Sequence, residues 1–247
     1  MVMILRLGSN GAEVSRWQEF LNGNGYFWIE TTGVFDQETM LATKSFQEEM
    51  GLTSDGVVGP NTLEKAKLPG EVSSPTKPTW TPYNSVQTAN LFGPLPYKAN
   101  PSQNFPESIL VDSNWIKKNI RRVQVPQFSK RKFSSSVMIH EKVVSQFLAF
   151  WKAVDDAGLL SRVLSFDGAW VARFVRGSRT VLSNHSYGTA FDINAKWNPL
   201  GAKPAPLGST GCVLELIDIA QELGWYWGGW FNRVDGMHFQ MGKLQDP

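Results

Sequence analysis

One stretch of the sequence occurs twice near its start, and that repeat leaves few folds open. Gly33-Val34-Phe35-Asp36-Gln37-Glu38-Thr39 is echoed by Gly56-Val57-Val58-Gly59-Pro60-Asn61-Thr62, with Gly33/Gly56, Phe35/Val58 and Thr39/Thr62 at the same offset. Each copy follows an aromatic–glutamine pair, Trp17-Gln18 and Phe46-Gln47. Val14, Trp17, Phe20 and Leu21, then Met40, Ala42, Phe46 and Met50, recur at helical spacing, which predicts two helices with one apolar stripe each. Gly25 and Gly51 fall just past those helices, where a cap wants a residue tolerant of positive φ. Thr39 and Thr62 stand where a side chain can cap the next turn. Two copies of helix, turn and short helix predict a small all-α three-helix domain over residues 1–68.

The period then stops. Pro69-Gly70 and the run Ser73-Ser74-Pro75-Thr76-Lys77-Pro78-Thr79-Trp80-Thr81-Pro82 lack any repeat, and proline removes backbone donors. Residues 69–95 are expected to be a stiff, extended Pro/Ser/Thr-rich linker. Residues 96–247 read as an α+β domain with a central antiparallel sheet. Strands are expected at Ile109-Leu110-Val111, Val123-Gln124-Val125, Val163-Leu164-Ser165-Phe166, Ala190-Phe191-Asp192-Ile193 and Met237-His238-Phe239. Val137 to Ala157 reads as an amphipathic helix ended by Gly158, and Val213 to Leu223 as a second ended by Gly224.

Composition excludes several classes. Cys212 is the only cysteine, so no intramolecular disulfide or cysteine-based metal cluster can form, and its thiol is expected to be buried and inert. A net charge of +2 gives no argument for nucleic acid. Its distribution is uneven: residues 1–68 hold five Lys/Arg against nine Asp/Glu. The remainder is mildly basic, which suits an anionic polymer, although Lys117-Lys118, Arg121-Arg122 and Lys130-Arg131-Lys132 read as a solvated face. No stretch approaches the roughly twenty apolar residues of a membrane span. Met1-Val2-Met3-Ile4-Leu5-Arg6 is too short for a secretory leader. The expectation is a monomer made in the cytoplasm that needs a separate exit route to act outside.

Three histidines are present, and two lie in unusual company: Ser183-Asn184-His185-Ser186-Tyr187-Gly188-Thr189-Ala190-Phe191-Asp192 and Asp235-Gly236-Met237-His238-Phe239. Zinc takes about three protein ligands from neutral imidazole and carboxylate, leaving one position for water. His185, Asp192 and His238 would supply that set. A turn at Ser186-Tyr187-Gly188 would put His185 and Asp192 on neighbouring antiparallel strands, with Gly188 and Ala190 small where backbone passes close to the metal. Asp235, three residues before His238, is placed to take a proton from the reacting water. Arg173, Arg176 and Arg179 precede the His185 segment, and a guanidinium fork suits an oxyanion or a carboxylate. His140 is read as a structural residue beginning a helix. Trp225, Trp227 and Trp230 are read as core.

These residues resemble a known family. Ser183-x-His185-x-x-Gly188-x-Ala190-x-Asp192 followed by Asp235-x-x-His238-Phe239 is similar to the zinc D-alanyl-D-alanine carboxypeptidases and L-alanyl-D-glutamate endopeptidases, the VanX/VanY-type group related in fold to the Hedgehog signalling domain. Arg173-Phe-Val-Arg176-Gly177-Ser178, Asp192-Ile-Asn194, Trp197-Asn198-Pro199 and Gly224-Trp-Tyr-Trp227-Gly228-Gly229 look like its phage-endolysin branch. The resemblance covers about residues 95–245. It implies that His185, Asp192 and His238 bind Zn²⁺ and that Asp235, where many relatives carry glutamate, is the catalytic acid/base. The oxyanion-stabilising arginine falls on Arg173, with Arg176 the second choice. Residues 3–66 resemble the three-helix peptidoglycan-binding domain, through Leu7-Gly8-Ser9-x-Gly11-x-x-Val14, Gln18-x-x-Leu21, Gly25-Tyr26, Gly33-x-Phe35 and Asp55-Gly56-Val57-Val58-Gly59.

Together the two resemblances imply an endolysin-like peptidoglycan hydrolase that cuts a stem-peptide amide, with L-alanyl-D-glutamate the expected bond and a holin pore the expected exit. Two alternatives stay open: a D-Ala-D-Ala carboxypeptidase of wall remodelling, and a non-catalytic wall-binding protein.

Overall fold

The computed structural model describes residues 4–66, 75–157, 159–206 and 209–245. They divide into two compact units, Met1–Thr76 with Pro206–Ser209, and Lys77–Ala205 with Thr210–Pro247.

In the first unit the repeat becomes three helices, α1 (Ala12–Gly23), α2 (Gln37–Glu49) and α3 (Pro60–Ala66). Val14, Trp17, Leu21, Phe35, Phe46, Val58 and Leu63 form its core. The paired glutamines explain why the repeat exists. Gln18 Nε2 donates to Val34 O and Thr39 Oγ1, while its Oε1 accepts from Gly33 N. Gln47 does the same one copy later, donating to Val57 O and Thr62 Oγ1 and accepting from Gly56 N. Each buried amide thus pins the turn that follows its helix, and each turn glycine has a positive φ. The expected caps are corrected by this network. Asp36 caps α2 by accepting from Thr39 N, and the two threonine hydroxyls are buried partners of the glutamines. Gly25 and Gly51 do adopt positive φ past their helices.

The second unit begins inside the segment expected to be a tether. Residues 67–74, including Pro69-Gly70 and Ser73-Ser74 and the 68/69 boundary, lie outside the described residues. From Lys77 onward the chain belongs to the second unit and forms α4 (Ser85–Phe92). The 69–95 linker is therefore corrected over its C-terminal part. Asn84 and Gln87 cap α4 reciprocally, Phe92 and Leu95 are buried, and Trp80 packs edge-on against Tyr226. Proline breaks a helix before it starts, but it does not stop apolar side chains from docking.

There follow β1 (Tyr97–Ala99), β2 (Ile109–Val111), α5 (Ser113–Asn119), β3 (Ile120–Gln124), α6 (Pro126–Ser129), β4 (Ser136–His140), α7 (Val144–Asp156), β5 (Phe166–Gly168), α8 (Asn184–Tyr187), β6 (Ala190–Ile193), α9 (Ile217–Glu222), β7 (Trp225–Trp227) and β8 (His238–Met241). The expected helix over 137–157 is corrected in its first part. Val137 and Ile139 alternate as strand β4 does, pairing antiparallel with Val123 and Arg121 of β3. His140 therefore ends a strand, and Gly158 lies outside the described residues.

The unit is α+β, and every named strand pair is antiparallel. β1 and β2 pair, β3 and β4 pair, and the largest sheet has the order β5-β6-β8-β7. Successive residues of a strand point to opposite faces, and the central strands use both. Phe191 of β6 and Phe239 of β8 are register partners with stacked rings. They meet Phe147 and Phe150 of α7, along with Trp225. Fully burying such a ring is worth roughly 1.5–3 kcal/mol, so this aromatic layer fixes the register. Asp192 and His238 are also register partners, one residue along from that phenylalanine pair. They stand on the other face.

Candidate metal centre

Register brings residues 192 and 238 together, and a single turn of helix adds the third. Ser183 Oγ accepts from His185 N at the start of α8, and Gly188 closes α8 with φ 71°. His185 thus comes from a helical turn, which corrects the expected strand. Gly188 is small for a different reason than the one expected. A Cβ there would lie 2.8 Å from His140 N and 2.9 Å from the Ile120 side chain, so the close approach is to β3 and β4.

His185 Nε2 lies 3.1 Å from Asp192 Oδ1 and 3.1 Å from His238 Nδ1, and His238 Nδ1 lies 3.0 Å from Asp192 Oδ1. Neither imidazole is exposed beyond a few per cent. The outer nitrogens decide what these three atoms can be. His185 Nδ1 faces the carbonyl of Ala169 at 2.6 Å and must donate to it, which leaves Nε2 a lone pair when the ring is neutral. His238 Nε2 faces Gln240 Oε1 at 3.1 Å, which leaves Nδ1 a lone pair in the same way. Three acceptors therefore converge with no hydrogen between them. Only a proton or a metal ion relieves that repulsion.

Electrostatics point the same way. Burial works against both charged forms, yet the contact between Asp192 and His238 holds the imidazole above its usual range. For Asp192, burial would raise the carboxyl, and the two histidines outweigh it and hold it far below the usual carboxylate range. A tetrahedral zinc ion with ligands at about 2.0–2.2 Å sets neighbouring donors roughly 3.3–3.6 Å apart. The observed triangle is only slightly tighter, and two imidazoles plus one carboxylate are an ordinary zinc donor set. The site fits Zn²⁺.

Around it lies a cavity of about 240 Å³ lined by Arg173, Arg176, Asp192, Arg233, Asp235 and His238, among others. Asp235 Oδ1 is buried and makes no hydrogen bond among the described residues. Burial, helped by the Asp192 charge and opposed by the histidines and Arg173, holds this carboxyl above its ordinary value. A carboxylate so raised is better matched to taking up a proton near neutrality. Its turn is built on the tryptophan–glycine segment. Asp235 N donates to Gly228 O and Trp227 Nε1 donates to Gly236 O. A Cβ on Gly228 would come within 2.6 Å of Asp235 O. Trp225 and Trp227 are buried, as expected of core residues, and Trp230 is partly so.

Arg173 is held by its backbone against the His185 turn. Its N donates to Ser186 Oγ, that hydroxyl donates back to Arg173 O, and Ser183 N donates to the same carbonyl. Its guanidinium donates to Phe174 O and is lowered by burial, opposed by Asp192, though an arginine keeps its charge. Arg176 also lines the cavity, whereas Arg179 donates to Pro106 O and does not line it. His140 is buried between the rings of Phe92 and Trp115, with Nδ1 accepting from Lys142 N, outside the site. The Cys212 thiol is buried. Sequence reasoning missed Arg233, whose side chain donates to Arg176 O, and Gln240 behind His238. Nothing local marks either residue; both are found only through the fold.

Residues 176–241 match the family described as "D-alanyl-D-alanine carboxypeptidase", and residues 10–65 match the one described as "Putative peptidoglycan binding domain". The spore cortex-lytic enzyme of Bacillus cereus is 36% identical over 61 residues, 25% of this chain and 24% of that protein. The chain thus matches about a quarter of the length of that curated relative. Among solved structures, the Burkholderia AP3 phage endolysin is similar at 26% identity and a TM-score of 0.25, covering 36% of this chain and 33% of the other. A fused Zn-dependent amidase/peptidase/peptidoglycan-binding domain-containing protein from Clostridium acetobutylicum is similar at 28% identity and a TM-score of 0.26, covering 40% and 48%. Among the described residues, no helix is long and apolar enough to cross a membrane.

Proposed function

We propose that the protein is an endolysin-like zinc peptidase that hydrolyses an amide in the stem peptide of peptidoglycan, with the L-alanyl-D-glutamate bond as its target. The observation that carries this reading is the convergence of three acceptor atoms, His185 Nε2, Asp192 Oδ1 and His238 Nδ1, beside Asp235, whose buried Oδ1 makes no hydrogen bond among the described residues. When bound, zinc supplies Lewis acidity toward the scissile carbonyl and makes water a better nucleophile near neutral pH. Asp235 takes the proton as the water oxygen attacks the carbonyl carbon, and returns it to the nitrogen as the C–N bond breaks. Arg173 supports the negative charge that develops on the carbonyl oxygen. Arg176 and Arg233 give the cavity a cationic wall suited to a carboxylate of the stem peptide.

The match over residues 10–65 supports a wall-anchoring role for the N-terminal unit, which raises the local concentration of the peptidase on an insoluble polymer. The endolysin reading carries release through a holin pore with it. A second reading, D-Ala-D-Ala carboxypeptidase, is favoured by the description of the family matched at residues 176–241. Mass spectrometry of purified peptidoglycan digested by the zinc-loaded protein separates them. Stem peptides cut between L-alanine and D-glutamate support the first, free D-alanine alone supports the second, and an undigested wall with zinc bound leaves a binding protein.

A further inference from the structure

A metal ligand works only if its ring presents the correct nitrogen. His185 is secured by a backbone carbonyl, whose role as acceptor is fixed. His238 faces a side-chain amide, and an amide has two ends of opposite character. If Gln240 turned its NH₂ inward, His238 would have to keep its lone pair on Nε2 and carry its hydrogen on Nδ1, pointing at Asp192 and away from use as a ligand.

A chain of hydrogen bonds prevents that turn. Asn184 Nδ2 donates to the same Gln240 Oε1 at 2.8 Å, so the oxygen end of Gln240 is held toward both neighbours. Thr88 Oγ1, on α4, donates to Asn184 Oδ1 at 3.4 Å, which orients the second amide in turn. Thr88 and Gln240 are buried, and Gln240 stands two residues from His238 on β8, on the same face. Resting on the reading of this site as a metal centre, we propose that Gln240, oriented by Asn184 and Thr88, is a positioning residue that holds His238 in the Nε2–H tautomer and so presents Nδ1 to the metal. Helix α4, which lies outside the family-matched residues 176–241, is thereby part of what assembles the site.

The test is zinc affinity of the full chain, measured by competition with a chromophoric chelator, together with the absorption spectrum of the Co²⁺-substituted protein and the unfolding midpoint of the metal-free form. Wild type must first bind zinc stoichiometrically. Failure there removes the metal-centre reading itself, not this inference alone. Gln240→Leu deletes the acceptor and is expected to weaken zinc binding about 10–100-fold and to shift the Co²⁺ bands. Gln240→Glu keeps an acceptor oxygen and is expected to restore affinity to within a few-fold of wild type. Asn184→Ala, a milder change, is expected to weaken binding about 3–10-fold, and it decides the question if Gln240→Leu does not fold. The proposal is overturned if Gln240→Leu folds and binds zinc as wild type does with an unaltered Co²⁺ spectrum. It is equally overturned if Gln240→Glu folds but is as weak as the leucine variant, or if Asn184→Ala has wild-type affinity.

Discussion

Both units bury polar side chains, and they do so in opposite ways. Around Gln18 and Gln47 every buried group meets its complement: amide hydrogens face carbonyl and hydroxyl oxygens, and the amide oxygens face turn N–H groups. Around His185, Asp192 and His238 three acceptors face one another and every compensating hydrogen points outward. A complete network gives a fixed turn and nothing more. An incomplete one costs stability unless something else arrives. That contrast separates scaffold from site here, without appeal to the identity of any ligand.

The comparison can be broken most sharply at Asp235. If its carboxylate moves protons, Asp235→Asn should slow clearance of purified cell walls about 10²–10⁴-fold while zinc stays bound. Equal rates would return Asp235 to the scaffold. Next in size is metal removal. Zinc at about a thousand times its dissociation constant should stabilise the second unit by roughly 4 kcal/mol, and a chelator should abolish this while the unfolding of the N-terminal unit stays put. A calorimetric trace in which both units shift together would count against the contrast.

A third test uses a buried group outside both networks. Burial holds His140 down to about 4 from its ordinary 6.5. Its folded value is depressed, so the unfolded chain binds the extra proton between those values, and stability is full above pH 6.5 and is lost as pH falls toward 4. The loss is at most about 3 kcal/mol. Denaturant unfolding at stepped pH should show this slope in wild type and lack it in His140→Gln. The smallest effect belongs to the complete network. Gln47→Leu strands the N–H of Gly56 and should lower the stability of the N-terminal unit by about 1–3 kcal/mol, with zinc affinity untouched.

How much of this was legible beforehand varies with how local the signal is. The three helices of the first unit follow from apolar spacing within each segment, and the capping glycines sit where the pattern put them. The role of Thr39 and Thr62 was not legible, because their partners are glutamines 21 and 15 residues away. Val137–His140 read as helix because its apolar residues run into those of α7; only pairing with β3 makes it a strand. The docked helix α4 was hidden by the prolines around it.

The sequence by itself determined which side chains could serve as ligands, the two-part organisation and the chemistry that two imidazoles, a carboxylate and a nearby aspartate can perform. Tertiary structure alone decided that Asp192 sits opposite His238 across two strands, that His185 enters from a helical turn, and which nitrogen of each ring faces inward. The physical reason is range. Side-chain chemistry and helical period are written in neighbouring residues, whereas strand register and the direction of a hydrogen bond depend on what the folded chain brings alongside.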